Sequence, residues 1–145
     1  MTITYQAPPT CATTTPTIIG TNRDDVLVGT PGDDVISALA GNDLVDGRGG
    51  NDLVCGGDGN DSLSGGDGND RIQGGNGNDS LTGGNGNDSL VGDSGNDFLS
   101  GGNDNDALSG GNGNDALNGG AGANTNDGGS GRNTCANPAT GPGCS

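Results

Sequence analysis

From Gly20 onward an aliphatic residue returns at every ninth position without a slip: Leu27, Ile36, Val45, Val54, Leu63, Ile72, Leu81, Leu90, Leu99, Leu108 and Leu117. Its neighbours on either side are mixed and mostly polar. One inward residue between two outward ones is the period-two signature of a very short β-strand. The five or six residues ahead of each strand are rich in Gly and Asn, as in GGDGND at 56–61 and GGNGND at 74–79. They predict a tight turn that repeatedly takes positive φ. Short strand and tight turn in alternation describe a solenoid in which two units make one coil. In this phase thirteen nine-residue units run from Gly20 to Ala136, the last two, GGAGANTND and GGSGRNTCA, being degenerate. The chain then divides into an N-terminal cap segment (1–19), the repeat region (20–136) and a C-terminal tail (137–145).

With the units numbered from their first residue, position eight is the aliphatic one and position six is Asp in eleven successive units: Asp25, Asp34, Asp43, Asp52, Asp61, Asp70, Asp79, Asp88, Asp97, Asp106 and Asp115. A solvated linker has no reason to keep an aliphatic residue two places after every Asp. Gly, Asp and Asn together fill about half of the 145 positions, and the formal net charge is −15 against four Arg. At 26% hydrophobic and 1% aromatic, the chain cannot order itself on a conventional apolar core. Stacking makes matters worse, because residues 18 apart lie one coil apart. Asp61 would then sit beside Asp79 and Asp70 beside Asp88, on strands about 4.8 Å apart. A hard divalent cation between the carboxylates neutralises the row and adds binding energy that only the folded state can claim. Oxygen ligands on flexible turns, with no His in the chain, favour Ca²⁺ over zinc or copper.

The same inventory excludes other classes. Without His or Lys there is no imidazole general base, zinc-protease motif, Schiff base or phosphate-cradling Gly-Lys loop. No nucleophile–base pair can be assembled, so the chain is not expected to be an enzyme. Its charge repels nucleic acid and anionic membranes, and no apolar run approaches the roughly 18 residues of a membrane span. Residues 1–16 lack the basic and apolar regions of a signal peptide, leaving prior cleavage or another export route.

The units resemble the GGxGxDxUx nonapeptides of the RTX (repeats-in-toxin) family, and the resemblance covers residues 20–136. It implies an all-β, right-handed parallel β-roll of about six coils, with calcium held in the turns between successive coils. It further implies six-oxygen sites. Each would use the carbonyls of positions two and four with the Asp of one unit, and the carbonyls of positions one and three with the Asp two units on. Mapped here, one site is Gly57, Gly59 and Asp61 with Gly74, Asn76 and Asp79. Its neighbour is Gly66, Gly68 and Asp70 with Gly83, Asn85 and Asp88. Pairing over the eleven Asp-bearing units gives about nine sites, whose charge of about +18 nearly balances the chain. Departures include Arg23 and Asp104 at position four, Pro31 and Ala40 at position three, Asp93 at position two, and Asn124 and Asn133 in place of the ligand Asp. Sites at both ends are therefore the weakest.

Outward position seven is apolar in the first four units (Val26, Val35, Leu44, Leu53), joined by Val28. Such a patch should be covered, either by the N-terminal segment with Ile3, Tyr5, Ile18 and Ile19, the favoured reading, or by another subunit. Four Cys allow three pairings. A cap strand lying beside Leu53 would bring Cys11 to Cys55, and the short tail can return Cys144 to Cys135. A zinc site from the four thiols is the rival. Disulfides and weak calcium sites both suit a secreted, extracellular protein. Three roles compete. The first is a structural or calcium-responsive module. The second is an ice-binding or adhesive surface built on the Asn row at position five, Asn42 to Asn114. The third is a homo-oligomer or filament joined through open strand edges.

Overall fold

The computed structural model describes residues 10–138 and 141–144. Fourteen strands appear in them: β1 (Ile18–Ile19), β2 (Val26–Val28), β3 (Val35–Ala40), β4 (Leu44–Asp46), β5 (Leu53–Asp58), β6 (Ser62–Asp67), β7 (Arg71–Asn76), β8 (Ser80–Asn85), β9 (Ser89–Ser94), β10 (Phe98–Asn103), β11 (Ala107–Asn112), β12 (Ala116–Gly120), β13 (Thr125–Asp127) and β14 (Thr134–Ala136). Odd-numbered strands form one seven-stranded sheet and even-numbered strands the other. All neighbours are parallel, and the register is 18 residues throughout, as in Leu63 opposite Leu81 and Leu81 opposite Leu99. The chain is thus a two-sheet parallel β-solenoid. Seven strands stack in each sheet, one more than the six coils expected, because β1 precedes the first unit and the degenerate last unit still pairs as β14.

The strands are longer than the repeat pattern predicts. Most run six residues, through positions seven to nine of one unit and one to three of the next. Two residues rather than one face inward in each, giving the burial pattern of β6, β8 and β10. One is the aliphatic position eight. The other is position one, which is Gly in these strands except β3, where Ala38 takes the place, so it adds little or no bulk. Only positions four to six remain for the turn. Backbone φ is positive at position two (Gly66, +113°) and at position four (Gly68, +131°), so the polypeptide bends twice within a few residues.

The position-eight side chains from Ile36 to Leu117 stack in a single column, each at most 3% exposed, flanked by Ile18, Leu27 and Cys135. Successive units alternate between the two sheets, and this divides the expected apolar patch. On β3 and β5, Val35 is half-buried and Leu53 only 6% exposed, beside the Cys11–Cys55 disulfide. On β2 and β4, Val26, Val28 and Leu44 remain exposed. The remaining cysteines join as Cys135–Cys144, leaving no free thiol for zinc. Of the expected cap residues, Ile18 and Ile19 pair with Ile36 and Ser37 of β3; Ile3 and Tyr5 lie outside the described residues.

Candidate metal centre

Each turn places its Asp side chain under the coil, where Asp43 through Asp115 at position six are all 3% exposed or less. One carboxylate oxygen of each has a fixed task. The Asp61 N–H donates to Asp79 Oδ1 at 2.8 Å and the Asp79 N–H to Asp97 Oδ1 at 2.8 Å, and so along both rows. Position five makes the opposite ladder. There the Asn78 N–H donates to Asn60 Oδ1 and the Asn96 N–H to Asn78 Oδ1. The two side chains of each Asn-Asp pair thus tie the turn to the coil before and the coil after.

The second carboxylate oxygen is left over. In Asp43, Asp52, Asp61, Asp70, Asp79, Asp88, Asp97, Asp106 and Asp115, Oδ2 is buried without a hydrogen-bond partner. Buried anionic oxygens in that state are costly. Seven of them face further oxygen. A Cβ added at Gly47 would lie 2.5 Å from both Asp52 Oδ2 and the Gly65 carbonyl oxygen, and Gly56, Gly74, Gly83, Gly92, Gly101 and Gly110 repeat the arrangement with their own Asp and the position-one carbonyl two units on. Carboxylate and carbonyl oxygen therefore converge where only hydrogen atoms leave room. No donor serves the carboxylate oxygens, and the chemistry of the set fits a hard cation. Among the described residues no three carboxylate or Cys side chains gather in one place; the oxygens come largely from the backbone.

Electrostatics records the same tension. Burial, reinforced by neighbouring carboxylates, pushes Asp88 up to about 7 and Asp52 and Asp79 to about 6. Burial also raises Asp61, Asp70, Asp97 and Asp106.

The first two turns differ. Asp25 Oδ2 accepts from the Thr21 N–H at 2.6 Å and the Thr21 hydroxyl at 2.9 Å, and Asp34 Oδ2 accepts the same pair from Thr30. The Thr30 N–H is the main reason that Asp34 lies below the usual carboxylate range. Thr21 and Thr30 occupy position two, where the central units have left-handed Gly. They were legible as departures from Gly, but their task as donors was not. The carbonyl-bearing positions Gly57, Gly59, Gly66, Gly68, Gly74, Asn76, Gly83 and Asn85 lie on β5 to β8 and the turns between them. Asn76 Nδ2 donates to Asp58 Oδ1 and Asn85 Nδ2 to Asp67 Oδ1 on the outer surface.

Among curated proteins, none matches the chain. Among protein families, the RTX calcium-binding nonapeptide repeat (4 copies) matches residues 19–54, 56–90, 64–99, 82–117, 91–125 and 100–135. These segments include nearly the whole solenoid and every turn with an unsatisfied Asp oxygen. The chain belongs to the RTX calcium-binding nonapeptide repeat family.

Proposed function

We propose that this calcium-binding repeat protein is a secreted, non-catalytic structural protein whose β-roll folds as calcium fills the turns between coils. The observation that carries the reading is the set of nine buried Oδ2 atoms without a donor. Calcium supplies the divalent charge and oxygen affinity that such a row requires. The Asp residues from Asp43 to Asp115 would hold it, together with the backbone carbonyls of positions one to four. Two disulfides suit an oxidising extracellular setting. The exposed Val26, Val28 and Leu44 on β2 and β4 favour a matrix or fibre role, with a second copy covering that face. The Asn row that an ice-binding or adhesive surface would use has its Oδ1 atoms accepting backbone N–H groups within the roll, which supports the structural role over that alternative.

A calcium titration of the chelated chain, followed by circular dichroism, small-angle scattering and negative-stain microscopy, tests both parts. We expect β structure and compaction to appear together with calcium, and filaments to follow. A compact β spectrum in chelator at neutral pH would overturn calcium-driven folding, and dispersed particles at saturation would overturn fibre assembly.

A further inference from the structure

The rows of unsatisfied oxygens do not run to the ends of the roll. Two chemically opposite devices stop them. At the N-terminal end the carboxylates of Asp25 and Asp34 stay, and donors are brought to them. Thr21 and Thr30 each supply an N–H and a hydroxyl to Oδ2. Neither Thr is left-handed, unlike position two from Leu39 onward, and no N–H reaches Oδ2 in those later turns. At the C-terminal end the carboxylate itself is replaced. Asn124 and Asn133 keep the Oδ1 role, accepting from the Asp106 and Asp115 N–H groups at 2.7 Å. Their other side-chain atom is an amide nitrogen, a donor where Asp has an acceptor. Asn133 Nδ2 donates to the Gly128 carbonyl at 2.7 Å and the Gly143 carbonyl at 3.3 Å. Asn124 Nδ2 donates to the Gly120 and Asn137 carbonyls, both at 3.3 Å. The Asn137 and Gly143 oxygens come from the tail, and they stand against Gly119 and Gly128 as the next coil's carbonyls stand against the central position-one glycines.

We propose that the calcium row begins at Asp43 and ends at Asp115, and that Thr21 and Thr30 at one end and Asn124 and Asn133 at the other close their turns by hydrogen bonds in place of an ion. The physical reason is shared. A cation satisfies a carboxylate facing carbonyl oxygens, and the same fault is removed by adding donors to the carboxylate or by making the side chain a donor to the carbonyls. Asp25 and Asp34 are then turn acceptors rather than ligands, although simple pairing of units two apart places both in the row. The inference rests on the calcium-binding reading above.

Native mass spectrometry of the full, oxidised chain in calcium counts the ions directly. D25N/D34N retains an acceptor oxygen for each Thr, and we expect it to bind as many ions as the unsubstituted chain. D61N/D70N should bind fewer. N124D/N133D, which exchanges a donor for an acceptor at each C-terminal stop, should bind up to two more. Loss of two ions in D25N/D34N would overturn the N-terminal stop, and an unchanged count in N124D/N133D the C-terminal one. Absence of bound calcium in the unsubstituted chain, with the fold intact, would instead overturn the reading on which both depend.

Discussion

Gly77 and Gly32 both stand at position four of their units, yet the backbone asks different things of them. Gly77 has φ of +133°, and a Cβ there would collide with the Gly59 carbonyl in the coil before. Gly32 is not left-handed, and the nearest atom to an added Cβ is Thr30 Oγ1 at 3.9 Å. Strain of this kind costs about 1–3 kcal/mol, and about 2–4 °C in Tm follows per kcal/mol in a chain of this size. Gly77→Ala should therefore lower the melting temperature of the calcium-saturated protein by several degrees, while Gly32→Ala stays within about 1–2 °C. Equal shifts in a thermal melt would refute the assignment. Leu39, Arg48, Asp93 and Asp104 adopt positive φ without being Gly, so the repeat tolerates some local strain where its neighbours hold the turn. The need for Gly at positions two and four was legible from the motif. Why position one is also Gly was not, because the reason lies in the facing Asp oxygen and the carbonyl two units away.

Strands β1 to β12 each contribute a large aliphatic side chain to a column whose members touch mainly their counterparts in the coils above and below and in the opposite sheet. Leu81 on β8 is fully buried in that column. Leu81→Ala removes it from a site that cannot collapse, since backbone hydrogen bonds fix the coil spacing, and should cost about 2–5 kcal/mol. Chemical unfolding in saturating calcium measures the loss. Phe98→Ser, on the outward face of β10 and 50% exposed, should stay within about 0.5 kcal/mol, and a comparable loss there would show that this face is covered in solution. The position-eight period and the pairing of residues 18 apart were readable from sequence. Strand length was not. An apolar pattern reports side chains, whereas β6, β8 and β10 continue through Gly residues whose backbones pair without a side chain to mark them.

Along the whole roll the buried carboxylates act together. In the metal-free fold Asp88 is raised to about 7 and Asp52 and Asp79 to about 6, against 3.8 for a free Asp side chain. The folded state therefore binds more protons than the unfolded one across that interval, and its stability falls as pH rises from about 4 to 7. In chelator, β structure should accordingly increase on acidification toward pH 4 and diminish at neutral pH, read by circular dichroism. Growth of the β signal with rising pH would contradict the sign. Calcium saturation should flatten the dependence, because the carboxylates then stay ionised on both sides of neutrality.

Calcium, the parallel roll and the 18-residue register follow from local chemistry repeated in phase: an acceptor at position six, an aliphatic residue at position eight and Gly where φ is positive. A repeat brings like residues together whatever the details of each turn, so those features need no coordinates. The faces on which Val26 and Leu53 emerge, the tail carbonyls of Asn137 and Gly143 beside the last coils, and the donors that meet Asp25 and Asp34 depend on where unlike residues come to rest. They lie at the ends, where the repeat no longer supplies a neighbour and each contact is particular to this chain.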